Sequence, residues 1–259
     1  MNILIMFKAV VLDIDGCISS EVGVAFNLLE LNKIQDINKK SEENFSFNPF
    51  PFITLNSGRP HAYCEAVSQM IGCNQFFIFE NGAGISKLNG VHYQYILDDK
   101  IEMLLLAKMD DIFKKVLELF GSERISLQPN KIYAKTLLFD PNDPLRLKVH
   151  EFITSMIEKE DLNLYSEYGY NFININIKGV DKGTGLDLFR NMTQINFSEM
   201  VGIGDSISDK LFMEKCGFKA CPSNASKELK IICDYVSPYR DVSGTVDIIN
   251  KIIELNKKT

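Results

Sequence analysis

Carboxylates, a hydroxyl and an ammonium are the residue types that together hold a hard cation and an anionic group, and this chain offers them at four places. Asp13 and Asp15 flank Ile14 in KAVVLDIDGCIS, Ser57 and Gly58 lie in NSGRP, Lys182 in GVDKGTGL, and Asp205 and Asp209 in GDSISD. Each has a bland counterpart. An acidic pair closing a strand is often a solvated turn, a serine before a helix is commonly an N-cap, and a lone lysine is usually solvated surface. An aspartate in a first helical turn can simply complement the helix dipole. Brought together, however, four carboxylates repel by about 4 kcal/mol per pair at ~4 Å and an effective dielectric of ~20. A cation is then required. Oxygen donors with few other ligands point to Mg²⁺, which keeps waters and typically shares its shell with a phosphate. With Lys182 it turns an acidic pocket into one that holds a phosphoryl group.

These groups meet only if the elements that carry them are neighbours. The apolar run Ala9, Val10, Val11, Leu12 reads as a strand buried on both faces, and further strands are expected over 52–55, 76–79 and 200–203. In a parallel α/β sheet, ligands bind just outside the carboxyl ends of the strands, where all four motifs stand. Helices are expected over 25–40, with Leu28, Leu29, Leu31, Ile34 and Ile37 as its apolar stripe, and over 61–70, where Pro60 suits the start. That start would place Ser57 and the Gly58 amide at a helix N-terminus, which favours an anion. After Gly82 and Gly84 the style changes. Asn89-Gly90 marks a hairpin, a helix is expected over 99–120 with Gly121 as its stop, and NFININI alternates as a half-buried antiparallel strand should. The expected architecture is an α/β protein: a doubly wound, Rossmann-like parallel-sheet core over 1–83 and 178–259, with a smaller α+β cap inserted over 84–177. Gly82 to Gly84 and Ile177 to Gly179 are the expected hinges.

Composition narrows the class. At 259 residues, with 46% hydrophobic and 24% charged, the chain can bury a large core, and disordered or fibrous classes are excluded. A net charge of -6 with scattered Lys and Arg supplies no basic field, so neither a nucleic-acid nor a membrane partner is expected. The six cysteines show no metal-ligand spacing, and reduced thiols in a cytoplasmic protein are expected. The opening run MNILIMFKAVVL is interrupted by Lys8 and lacks a small-residue cleavage site, so it is read as the first strand's approach rather than a signal peptide.

DIDG, then serine with GRP, then GVDKGTGL, then GDSISD, resemble the four ordered motifs of the haloacid dehalogenase-like hydrolases. The place of the insert resembles the subclass with a type IIB cap, which includes phosphoglycolate and sugar-phosphate phosphatases. The resemblance covers the core, about two-thirds of the chain. It implies Asp13 as the nucleophile that attacks phosphorus and Asp15 as the general acid/base. It further implies Ser57, Gly58 and Lys182 as phosphate-binding groups, and Mg²⁺ held by Asp13, the Asp15 carbonyl and Asp205, with Asp209 a ligand through water or an orienting group. Arg59, Asn81 and Lys178 are candidates to face the substrate. Cys17 stands where the family usually has Thr, and Ser208 where cap-bearing members often have Asn. The expected activity is Mg²⁺-dependent hydrolysis of a small phosphorylated metabolite, phosphoglycolate or a sugar phosphate. A phosphomutase and a non-catalytic phospholigand binder are the alternatives.

Overall fold

The computed structural model describes residues 5–20, 24–43 and 47–259. The first four residues of the apolar opening and the middle of the polar link SEENFSFNPFP lie outside them. In chain order the elements are β1 (Ala9–Leu12), α1 (Leu28–Ser41), β2 (Phe52–Leu55), α2 (His61–Met70), β3 (Phe77–Phe79), β4 (Gly84–Asn89), β5 (His92–Leu97) and α3 (Met103–Phe120). They continue with β6 (Ser126–Leu127), β7 (Lys135–Leu138), α4 (Leu145–Lys159), β8 (Leu164–Tyr168), β9 (Phe172–Ile177), α5 (Lys182–Thr193) and β10 (Met200–Ile203). The chain closes with α6 (Lys210–Met213), β11 (Phe218–Cys221), α7 (Lys227–Ile232), β12 (Tyr235–Val236) and α8 (Asp241–Asn256).

The chain forms two compact units, Met1–Ile96 with Asp181–Thr259, and Leu97–Val180. In the first, a parallel sheet runs β12-β11-β10-β1-β2. Ala9 and Val11 join Leu186 and Phe189 of α5, Phe212 and Met213 of α6 and Leu229 of α7 in one cluster. Val10 and Leu12 point the other way by the two-residue period of a strand and are equally buried, which explains a run with no polar member. Register then aligns the ends: Leu12 lies beside Ile203 on one side and Leu55 on the other. The ladder continues one step further, with Asp13 N–H donating to the Ile203 carbonyl at 3.0 Å and Asn56 N–H to the Leu12 carbonyl at 2.8 Å. Residues after β1, β2 and β10 are thereby held at one level of the sheet edge.

The outer side of β2 is flanked at its end by β3, through the Asn56–Ile78 bridge, and before that by a side chain from α1. Asn38 Oδ1 accepts from Ile53 N–H at 2.7 Å, while its Nδ2 donates to the Ile53 and Ile71 carbonyls at 3.2 and 2.8 Å. This satisfies an outward-facing strand residue that would otherwise template another strand. The helix itself differs from expectation in its first turn. Its buried face consists of Leu31, Ile34, Ile37 and Asn38, whereas Leu28 and Leu29 are exposed because the packed face begins only at Leu31.

The division between units corrects the expected boundaries of 84–177. β4 pairs antiparallel with β3, so the Asn89-Gly90 hairpin stays with the core and the insertion spans Leu97–Val180. Gly82, expected as a hinge, is instead wedged: a Cβ there would sit 1.9 Å from the Asp181 carbonyl oxygen, and one on Gly185 would sit 2.7 Å from the Gly82 Cα. Two backbones touch at this point, which fixes the start of α5. In the insertion, an antiparallel sheet β6-β7-β9-β8 carries α4, and α3 packs against α4. α3 starts at Met103 rather than 99. Asn174 and Asn176 of β9, expected to be the solvated face, are buried. β9 is a central strand, and Asn174 is bonded to Thr136 at 2.6 Å and to Glu167 at 2.9 Å. Among the described residues, no helix is long and apolar enough to cross a membrane.

Replacing Asn38 by Ala strands the amide and carbonyl of Ile53 and should lower unfolding free energy by about 2 kcal/mol. Urea denaturation monitored by circular dichroism measures this; an unchanged midpoint would show that the edge needs no cover.

Candidate active site

Asp13 emerges from β1 into a tight loop in which the Ile14 carbonyl accepts from the amides of Cys17, Ile18 and Ser19. Gly16 sits at φ +75°, and a Cβ there would lie 2.1 Å from Asp205 Oδ2. The absence of a side chain is what lets the β10 loop close over β1. Asp209 organises that loop: its Oδ2 accepts from the amides of Asp205 and Ser206, each at 3.0 Å. Gly204 permits the approach, since a Cβ on it would meet Asp209 Cβ at 2.3 Å. Asp209 Oδ1 receives Lys182 Nζ at 2.5 Å, and the same ammonium stands 3.0 Å from Asp13 Oδ1.

Lys182 is the first residue of α5, which is opened by a capping box: Asp181 Oδ1 accepts from the amides of Gly183 and Thr184, and Thr184 Oγ1 accepts from Asp181 N–H. Asn56 Nδ2 donates to the Lys182 carbonyl at 2.9 Å, tying this helix start to the end of β2. Lys182 is buried, so neither it nor Asp13 is the solvated turn or surface residue that each could have been alone.

One oxygen each from Asp13, Asp205 and Asp209 lies within 4.8 Å of the other two. The electrostatics follow from that crowding. Burial, with Asp209 and Asp15 nearby and Lys182 opposing, pushes Asp13 up to about 7. Burial, then the charges of Asp209 and Asp13, push Asp205 up to about 7. Burial alone would push Lys182 down, but Asp13 and Asp209 outweigh it and hold it cationic. Three carboxylates against one ammonium leave two negative charges to be met. Asp13 Oδ1 is buried and makes no directed hydrogen bond, and every donor is a hard oxygen. The residues fit a hard divalent cation.

Ser57 is fully buried after β2. Its amide is spent on the Ile78 carbonyl, its carbonyl accepts from Asn81 N–H, and its Oγ accepts from Arg59 N–H at 3.3 Å. Because α2 begins at His61, Gly58 lies ahead of the helix rather than at its first turn; its amide donates to no described residue. Asn81, in the left-handed region at φ 56°, packs its amide against Gly58, where a Cβ would meet Asn81 Oδ1 at 2.6 Å. Arg59 reaches across to Asp15: Nε to Oδ2 is 2.7 Å and Nη2 to Oδ1 is 2.5 Å. The guanidinium lies 4.9 Å from the Tyr63 ring.

Lys178 falls in the Leu97–Val180 unit and is exposed there. Cys17 is buried, with its carbonyl accepting from Thr245 Oγ1 at 2.8 Å, and Ser208 is exposed beside Ser206. Two supporting residues had no signal in the sequence. Asn56 is one. The other is Asn224, whose Nδ2 donates to the Gly16 carbonyl at 2.9 Å and whose Oδ1 accepts from Asp241 N–H at 2.7 Å. A lone asparagine in a loop resembles any turn residue.

A family model described as haloacid dehalogenase-like hydrolase matches residues 121–249. Over that segment the chain is similar to the haloacid dehalogenase-like hydrolases. Among sequence relatives, a phosphoglycolate phosphatase of Thermoplasma volcanium is 27% identical over 235 residues, covering 90% of this chain and 93% of its own. Among solved structures, a haloacid dehalogenase-like hydrolase from Bacteroides thetaiotaomicron superposes with a TM-score of 0.73 at 14% identity, over 95% of this chain and 99% of that one. The sucrose-phosphatase from Synechocystis sp. PCC6803 gives 0.65 at 14% identity, over 95% and 97%. Both share the α/β fold, with its parallel core and insertion.

Because Asp205 has a value near 7 when folded against an ordinary 3.8, the folded chain binds more protons than the unfolded one between these limits. It therefore loses stability as pH rises through that window. Without divalent ions, Asp205→Asn should melt above the parent protein at pH 8, by a margin that shrinks towards pH 4. Added divalent cation should raise the parent protein far more than the variant. Equal melting curves in chelator at pH 8 would contradict the strained carboxylate cluster.

Proposed function

We propose that this hydrolase is a Mg²⁺-dependent phosphatase that cleaves the monoester of a small phosphorylated metabolite through an aspartyl phosphate on Asp13. The observation that carries the reading is the convergence of Asp13, Lys182, Asp205 and Asp209 at the strand end, with a second carboxylate, Asp15, two residues from the first. A cation-binding site alone needs no further, half-buried acid beside it.

The buried carboxylate of Asp13 forms a bond to phosphorus while the ester P–O bond breaks, and Asp15 supplies the proton that the departing alkoxide takes up. Asp15, then ionised, takes a proton from water as the water oxygen bonds to phosphorus and the bond between Asp13 and phosphorus breaks, releasing inorganic phosphate and restoring the Asp13 carboxylate and the protonated Asp15. Lys182, the Ser57 hydroxyl and the unspent Gly58 amide are the donors available to the equatorial oxygens, on which charge spreads in a loose transition state. Asp13, the Asp15 carbonyl and Asp205 would hold Mg²⁺, which supplies charge neutralisation between the carboxylates and the incoming phosphoryl group. Asp209, saturated by Lys182 and two loop amides, is the orienting group of the expected pair of roles. The insertion would select the organic part of the substrate. The curated relative named phosphoglycolate phosphatase favours a short phosphorylated acid over a sugar phosphate.

Phosphate release from phosphoglycolate in Mg²⁺ should fall by about 10⁴-fold or more in Asp13→Asn, the scale seen when a nucleophile is removed, and chelation should abolish it until Mg²⁺ is restored. An Asp13→Asn protein that still turns over would end the covalent reading.

A further inference from the structure

The segment that begins at Cys221 and ends at Cys233 leaves the parallel sheet and returns beside its own start. After β11 the chain turns at Pro222, runs through α7 and comes back as β12. On its return the Asp234 N–H donates to the Lys219 carbonyl at 2.8 Å and the Ser237 N–H to the Cys221 carbonyl at 2.9 Å. Cys233, the residue before Asp234, is thereby held next to β11, and its thiol is in hydrogen-bond contact with that of Cys221. Cys221 belongs to the apolar cluster that holds Leu229, Cys233 packs against the same cluster, and the Leu229 carbonyl lies 3.3 Å from Cys233 Sγ. Both cysteines are free. Cys221 is fully buried, whereas Cys233 is half-buried and keeps part of its surface in solvent.

Between the two thiols lie groups that brace the aspartate loops. Asn224 Nδ2 donates to the Gly16 carbonyl at 2.9 Å, and Ser226 N–H donates to the Asp205 carbonyl at 2.8 Å. Ser226 also caps α7, its Oγ accepting from Leu229 N–H at 3.2 Å. The ends of the segment are two sulfurs in contact, and its middle is fastened to both loops.

We propose that Cys221 and Cys233 form a dithiol–disulfide pair, oxidised by a low-molecular-weight disulfide such as oxidised glutathione, which closes this segment into a covalent loop. The sulfur of Cys233, the half-buried member, bonds to one sulfur of the oxidant while the oxidant's S–S bond breaks and one thiolate departs. The Cys221 sulfur then bonds to the Cys233 sulfur as that mixed disulfide breaks and the second thiolate departs. The two cysteine protons end on the two released thiols, so two electrons pass from the protein to the oxidant. Contact with Cys233 holds the Cys221 thiol below its usual range against the opposing effect of burial, which suits Cys221 to the second attack. Sulfurs already in contact need little backbone movement to reach the ~2.05 Å of a disulfide, and the closed loop stabilises by restricting the unfolded chain. None of this depends on the chemistry at Asp13.

The test incubates the full chain at pH 8 with oxidised glutathione, alkylates the remaining thiols in guanidinium with iodoacetamide, and maps the peptides by mass spectrometry. A Cys221–Cys233 cross-link should form while Cys17, Cys64, Cys73 and Cys216 are alkylated. The oxidised chain should melt about 5 °C above the reduced one, and dithiothreitol should reverse both changes. Cys233→Ser, a change at a half-buried position, should show neither the cross-link nor the rise. No Cys221–Cys233 cross-link in the parent chain, a cross-link to a different cysteine in its place, or a cross-link that leaves melting unchanged would overturn the proposal.

Discussion

Everything at the candidate site depends on crowding three carboxylates, two of them buried and one half-buried, around one ammonium. At an effective dielectric of ~20, each close pair of like charges costs about 4 kcal/mol, and Lys182 offsets only part of this for Asp13, Asp205 and Asp209. The folded chain therefore holds Asp13 and Asp205 poised near neutrality, with values of about 7. Such a site is unfinished by itself. A divalent cation would complete its charge balance. Such crowding is stability given up by the fold, as is common at strained clusters.

The architecture serves that cluster. Register between β1, β2 and β10 sets the depth of Asp13, Ser57 and Asp205 in the sheet edge, and three close backbone approaches draw the loops inward. Gly16 admits Asp205, Gly204 admits Asp209, and the Gly82 and Gly185 contact seats α5 so that Lys182 points at both carboxylates. Asn56 and Asn224 then stitch neighbouring loops to these positions. Each of these contacts fixes a member of the charged cluster, in which one oxygen each of Asp13, Asp205 and Asp209 lies within 4.8 Å of the other two.

How much of this was legible from residues alone follows from the range of the interactions. β1 was legible because four consecutive apolar residues can only serve a strand covered on both faces, and the strand-terminal aspartates because charge at such a place must be used. Lys182 and Asp209 had adequate local explanations; only their mutual contact removes these, and contact between residues so far apart in sequence is not written in either neighbourhood. The same limit hid Arg59's hold on Asp15, which looked like an arginine free to face the substrate. The hairpin after Gly84 was recognised, but its partner was not: antiparallel pairing to β3 decides that it belongs to the core, and alternation within a strand says nothing about which sheet it joins. Burial of Asn174 likewise depends on Thr136 and Glu167 from neighbouring strands.

The direct measurement is a high-resolution crystal structure of the protein grown with Mg²⁺. One ion should be found about 2.1 Å from carboxylate oxygens of both Asp13 and Asp205, with Lys182 still bridging Asp13 and Asp209. An ion bound elsewhere, or Asp13 and Asp205 turned apart with no shared ion at saturating Mg²⁺, would contradict the account.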